Sequence, residues 1–83
     1  MRQSEARSRL AALVGEVNRK RSKDDIASAF SELVEYVRPL ETSQPSDEKN
    51  VQYYEDRFAN AETVKHMRWW VGAFHSYAKG LVP

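Results

Sequence analysis

Two histidines are the residues of this sequence best suited to acid–base or metal chemistry. His66 and His75 are nine residues apart, which places them on opposite faces of a helix at about 100° per residue. Nucleophilic catalysis needs a nucleophile beside a base that a third group orients, and neither histidine has such a partner at motif spacing. His75 lies near the apolar positions Val64 and Val71, with Lys79 four residues on. We therefore interpret it as a partly buried histidine.

Metal-ligating and phosphate-binding patterns are weak. Glu62 and His66 are four residues apart and can meet on one helix face, but two ligands do not make a metal site. The chain has no cysteine and only three isolated glycines, which excludes disulfides, thiolate metal sites and a glycine-rich phosphate loop. We expect no catalytic residue, no metal, no cofactor and no enzymatic activity.

Composition predicts a single small domain over residues 1–83. With 83 residues and no disulfide, the stability margin is thin, which favours oligomerisation. There is no apolar run of about 18 residues, and no apolar run of seven or more residues follows the basic N-terminus. We therefore expect a cytoplasmic protein that does not contact membranes.

Apolar residues recur at spacings of three and four along most of the chain, and no segment alternates with a period of two. The pattern predicts an all-α bundle of three or four helices, with a helical dimer interface. The predicted helices cover about 4–21, 23–38, 47–58 and 61–79, with a linker at 39–46. The helical spacing of apolar residues is interrupted near Asn60, which favours a break between two helices there. One long bent helix is the alternative.

Capping residues mark the expected helix ends. Ser4, Ser22, Ser46 and Asn60 are the predicted N-caps. Gly80 is the predicted residue after the last helix. Pro39 is expected to end the second helix, because the residue before a proline is biased away from the α region.

The adjacent tryptophans Trp69 and Trp70 are the most informative feature of the sequence. The last helix has a core stripe centred between Met67 and Val71, and Trp69 lies almost opposite it. In one interpretation Trp69 is core, because a central helix has neighbours on two sides. In the other it is exposed and anchors a second copy or a partner, as tryptophans do at interfaces. The predicted protein-interface residues are Trp69, Trp70, Ala73 and Tyr77.

Charge is segregated along the chain. Residues 1–23 carry a net charge of +5, residues 24–58 a net charge of −6 and residues 59–83 a net charge of +2. The basic N-terminal third, residues 1–23, is a candidate nucleic-acid contact, although the net charge of +1 for the whole chain is low for a dedicated nucleic-acid binder. Its residues are Arg2, Arg7, Arg9, Arg19, Lys20, Arg21 and Lys23.

Two functional hypotheses follow. The first is a non-enzymatic protein-interaction module: a small regulator, adaptor or inhibitor that acts by binding and blocking, with a homodimer or a protein as its partner. Small helical proteins of phages and mobile elements, including CRISPR inhibitors, have this size and class. The second is a nucleic-acid-associated transcriptional regulator that uses the basic N-terminal third.

Overall fold

A computed structural model describes residues 2–41 and 50–81, with side chains described for 5–40 and 50–81. Within these ranges the chain forms four α-helices and no strand, which confirms the predicted small all-α bundle. A 3₁₀ turn, Arg38–Glu41, follows the second helix. The helices are α1 (Arg2–Arg19), α2 (Lys23–Val37), α3 (Val51–Ala59) and α4 (Val64–Lys79).

The N-terminus of α2 is capped by Ser22, as the sequence predicts. Ser22 has extended backbone, and its Oγ accepts a hydrogen bond of 3.1 Å from the backbone N–H of Asp25. Asp24 and Asp25 occupy the first turn, where negative charge is favourable. The predicted cap is therefore confirmed.

The end of α2 differs from the prediction. Arg38 stays in the right-handed helical region, at φ −51° and ψ −46°, and its N–H donates to the carbonyl of Val34. The predicted exclusion of Arg38 from the α region is wrong. The chain continues into the 3₁₀ turn, where Pro39 is in the first turn and needs no backbone N–H.

The predicted break between the last two helices is confirmed, but its cap is not. Asn60 has backbone angles of φ −88° and ψ −4° and ends α3, so it lacks the extended backbone of an N-cap. Thr63 caps α4 instead: its Oγ1 accepts a hydrogen bond of 3.1 Å from the N–H of His66.

Two further helix starts differ from the sequence pattern, and the end of α4 differs only in its backbone conformation. Ser4 lies inside α1, since this helix begins at Arg2. Asn50 caps α3 through a 2.9 Å bond from the N–H of Tyr53, while the predicted cap Ser46 lies outside the described residues. Gly80 follows α4 as predicted, but its φ of −75° shows that no left-handed turn is made.

One apolar core joins the four helices. The ring of Phe30 stacks on Phe58 at 4.0 Å between centroids and meets Phe74 edge-on at 5.3 Å. Through these contacts α2, α3 and α4 share one aromatic centre, and α1 packs on α2 and α4. The remaining buried residues are Leu10, Leu13, Val14, Val17, Ile26, Ala29, Leu33, Val34, Val37, Val51, Tyr54, Met67, Val71 and Ala78.

Candidate functional site

Trp69 lies on the side of α4 that faces away from the core. The buried stripe of this helix consists of Met67, Val71, Phe74 and Ala78. Trp69 is 63% exposed, and among residues 5–40 and 50–81 it is the one large apolar side chain that is exposed. The interpretation of Trp69 as core of this chain is therefore wrong.

Trp70 supports Trp69 from the side. The two indole rings are nearly perpendicular, at 81°, with 4.6 Å between their centroids. Trp70 is half-buried and meets Tyr53 and Tyr54 edge-on at 6.2 and 6.3 Å. Trp69 thus rests on a ring that α3 holds in place.

Tyr77 and Ala73 continue the same side of α4. The Tyr77 ring lies 5.2 Å from that of Tyr54, and both Tyr77 and Ala73 are half-buried. Ala73 lies four residues after Trp69 and four before Tyr77, so the three share one side of the helix. The four predicted interface residues therefore come together. With the half-buried Tyr53 they form what we call the aromatic surface: Tyr53, Trp69, Trp70, Ala73 and Tyr77.

Tyr53 was not predicted as an interface residue. On α3 it lies to one side of the apolar face of Val51, Tyr54 and Phe58, and this position was its only signal in the sequence. Its partner Trp70 is 17 residues away, so the contact depends on how α3 folds back on α4.

One cation, Arg57, borders the aromatic surface at α3. The guanidinium of Arg57 lies 5.3 Å from the centroid of the Tyr53 ring, within the range of a cation–π contact. An open groove of about 250 Å³ runs beside it, lined by Arg57, Asn60, Ala61, His66 and Trp70.

The candidate nucleic-acid contacts do not form one patch. Arg2 begins α1, and Arg7 and Arg9 are exposed in its first half. Ten residues separate Arg9 from Arg19, which is about 15 Å along a helix. The rest of the set lies around the end of α1 and the start of α2: Arg19, Lys20, Arg21 and Lys23.

Two of these cations already have an acidic partner. Glu16 forms an ion pair with Arg19 and lies 3.8 Å from the ammonium of Lys20. Exposed pairs of this kind stabilise a protein by about 0–1 kcal/mol, so their release to bind an anion would cost little.

Arg68 joins this group from α4, although no pattern in the sequence indicates this contact. Its guanidinium donates to the carbonyl oxygens of Asn18 at 3.0 Å and Lys20 at 2.6 Å. These bonds satisfy carbonyls that the end of α1 leaves without helical partners. Arg68 and the end of α1 line one open groove: Asn18, Arg19, Lys20, Arg21 and Arg68.

His75 is half-buried, as its position in the sequence indicated. Burial, and to a lesser degree the positive charge of Lys79, lower the pKa of His75 below its ordinary value. Among the described residues, no group of three or more His, Cys, Asp or Glu side chains is placed to hold a metal ion.

The fold and this surface define a small all-α bundle with an exposed aromatic face. Comparisons with known proteins add no relative: no family model, curated protein or solved structure matches the chain. In the part of the chain that the structure describes, no helix combines the length and apolarity needed to cross a membrane.

Proposed function

We propose that this protein is a non-enzymatic interaction module that binds a protein partner through its aromatic surface. It acts as a small regulator, adaptor or inhibitor by covering a surface of that partner. The observation that carries the proposal is the 63% exposure of Trp69 opposite the buried stripe of α4.

An exposed tryptophan at this position adds little to the fold. Its exposed apolar area remains in contact with water, and burial of such area contributes about 25 cal/mol per Å². A partner that covers Trp69 gains this free energy on binding. Tryptophan and tyrosine are the residue types most enriched at positions that dominate binding energy, and both occur on the aromatic surface.

The neighbours of Trp69 also reduce the entropic cost of binding. Trp70 is held between Trp69 and the tyrosines of α3, and Tyr77 is held against Tyr54. Side chains that are already ordered lose less conformational freedom when a partner binds. The surface is thus preorganised for recognition.

Site-specific photocross-linking tests this proposal in the cells that encode the protein. Benzoylphenylalanine is placed at position 69 in one variant and at the exposed position Ser31 of α2 in a control. We expect a discrete protein adduct from position 69 and none from position 31. Equal labelling from both positions, or no protein adduct at position 69, would contradict the proposal.

A second copy of this chain is one candidate partner. Sedimentation of the wild type and of Trp69→Ala over a range of concentrations tests it. A homodimer built on the aromatic surface would dissociate in the variant. A wild type that remains monomeric at all concentrations would remove this candidate and leave a different protein as the partner.

A nucleic-acid-associated regulator is the second candidate function. The observation that favours it is the groove in which Arg68 joins Arg19, Lys20 and Arg21. Binding through phosphates would weaken steeply as salt is raised, in proportion to the number of contacts. Titration with duplex DNA, single-stranded DNA and RNA at low salt tests this, and an absence of binding would end this candidate.

A further inference from the structure

The charged residues of α4 are all basic. The helix carries Lys65, Arg68 and Lys79 and has no acidic residue. Lys65 is exposed and lies four residues before Trp69, so the two side chains are neighbours on the helix surface. Arg68 connects this side to the cations at the end of α1.

Of the acidic side chains near the aromatic surface, Glu55 and Asp56 of α3 have partners of their own, and Glu62 is exposed just before α4. Glu55 of α3 accepts a 2.6 Å bond from Arg38, and Asp56 accepts a 2.9 Å bond from Gln52. Arg57 points to the ring of Tyr53 and is the one cation that α3 supplies beside the aromatic surface. The aromatic surface therefore lies between cations on its α1 side and on its α3 side.

Gly72 opens space beside Trp69. It is exposed in the middle of α4, and a Cβ added there would meet no atom within 4 Å. Glycine within a helix is about 1 kcal/mol less favourable than alanine, and nothing in the described structure requires it at this position. A missing side chain three residues after Trp69 lets the backbone of a partner approach the helix closely.

From these features we propose that the aromatic surface recognises an acidic protein segment. Such a segment inserts an apolar side chain between Trp69 and Gly72 and places carboxylates against Lys65 and the basic groove at Arg68. The inference rests on the proposed function and specifies the chemistry of its partner.

The charge distribution disfavours a second copy at this surface. Lys65 and Lys79 each lie seven residues from Gly72. A two-fold antiparallel contact centred on Gly72 would therefore place Lys65 opposite Lys79 of the second copy, and like charges repel. An acidic partner meets the same cations with attraction.

The same distribution favours a polypeptide over a nucleic acid. The net charge of +1 lacks the strong basic excess of most dedicated nucleic-acid binders. Carboxylates beside an apolar anchor suit a surface that is partly apolar and only moderately basic.

A peptide selection tests the inference without knowledge of the natural partner. A display library of random peptides of about 12 residues, long enough for three helical turns, is selected on the wild type and, in parallel, on Trp69→Ser. We expect peptides that are enriched only on the wild type to carry more Asp and Glu than the starting library, around at least one apolar residue. Trp69→Ser should weaken these peptides by about 30-fold, as expected for a dominant anchor.

Two matched variants test how much the positive charge beside Trp69 contributes to peptide binding. Lys65→Gln removes a cation beside Trp69, and Ser31→Glu adds an anion on the outward side of α2, so both lower the net charge by one. The acidic peptides should bind about threefold more weakly to Lys65→Gln, as for an exposed ion pair, and equally well to Ser31→Glu.

The outcomes separate the inference from the proposed function. Peptides that need Trp69 but carry no acidic excess would overturn the inference and leave the interaction module in place. A selection that enriches nothing dependent on Trp69 would overturn both. Tighter binding of an oligothymidylate of about 20 nucleotides than of any peptide would assign the surface to nucleic acid, and self-association that Trp69→Ser abolishes would assign it to a second copy.

Discussion

The outward sides of α2 and α4 have opposite chemistry, although the two helices play the same part in the core. Each helix buries one apolar stripe, and both meet at the pair of Phe30 and Phe74. The outward side of α2 is small or acidic, with Asp24, Asp25, Ser28, Ser31, Glu32 and Glu35. The outward side of α4 holds Lys65, Trp69, Gly72 and Ser76.

This difference shows what the fold requires and what it does not. An amphipathic helix needs a buried stripe and a solvated back, and α2 has both. The back of α4 instead carries a tryptophan that stays in water and a glycine that weakens the helix. Because neither residue contributes much to the fold, we propose that both contribute to the binding of a partner.

The largest expected effect separates the two sides of α4. Phe74→Ala should lower the free energy of unfolding by about 3–5 kcal/mol, because it removes a buried ring and leaves a cavity. Trp69→Ala should lower it by less than about 1 kcal/mol, because the indole is mostly in water. Urea denaturation followed by circular dichroism measures both. A cost above about 2 kcal/mol for Trp69→Ala would mean that the outward side belongs to the fold.

The next largest losses of stability are expected at the N-caps of α2 and α4. Ser22→Ala and Thr63→Ala should each cost about 1 kcal/mol, because each removes the oxygen that accepts an N–H of the first turn. Asn60→Ala should change the free energy of unfolding by no more than about 0.5 kcal/mol, as for an ordinary surface change. A larger cost at Asn60 than at Thr63 would show that α4 begins where its sequence first suggested.

A substitution at Gly72 distinguishes binding from folding, with Gly15 of α1 as the control. Both lie in helices, and an added Cβ at either meets no atom within 4 Å. Gly72→Ala and Gly15→Ala should each stabilise the free chain by about 0.5–1 kcal/mol, measured as a rise in the urea midpoint. Only Gly72→Ala should weaken binding at the aromatic surface. Equal binding by both variants would remove Gly72 from the interface.

The smallest effect concerns the half-buried side of α4 at His75. Because its pKa is lowered in the folded chain, the unfolded chain binds a proton first as the pH falls below about 6.5. The contribution of His75 to the free energy of unfolding is therefore fully present above that pH, and it declines as the pH falls towards the folded pKa. Urea denaturation between about pH 7.5 and 5.5 should show a shallower decline for His75→Gln than for the wild type, with His66→Gln as the control. An unchanged decline in His75→Gln would contradict this prediction.

Much of the fold could be predicted because it depends on local patterns. The stripes of α2 and α4 follow directly from spacings of three and four, and the stripe residues of α2 are all buried: Ile26, Phe30, Leu33, Val34 and Val37. Caps were harder to place. Asn60 and Thr63 are both suitable residue types, and only the backbone angles decide between them.

The sequence predicts which side of α4 carries the candidate site, but it does not predict the contacts around that site. The helical wheel placed Trp69 opposite the core, but a single helix pattern does not show whether another helix covers that side. The contacts of Arg68 with the end of α1 join residues 48 and 50 positions apart. No local pattern encodes such contacts, because they depend on the packing of whole helices.

Hydroxyl-radical footprinting of the two tryptophans tests the central claim most directly. Oxidation of Trp69 and Trp70 is followed by mass spectrometry in the dilute chain and in the chain saturated with a selected acidic peptide. Trp69 should react faster than the half-buried Trp70 when free and slow to a similar rate when bound. A Trp69 that is as protected as Trp70 in the dilute free chain, or that reacts at an unchanged rate in the complex, would contradict the claim that the outward side of α4 is a binding surface.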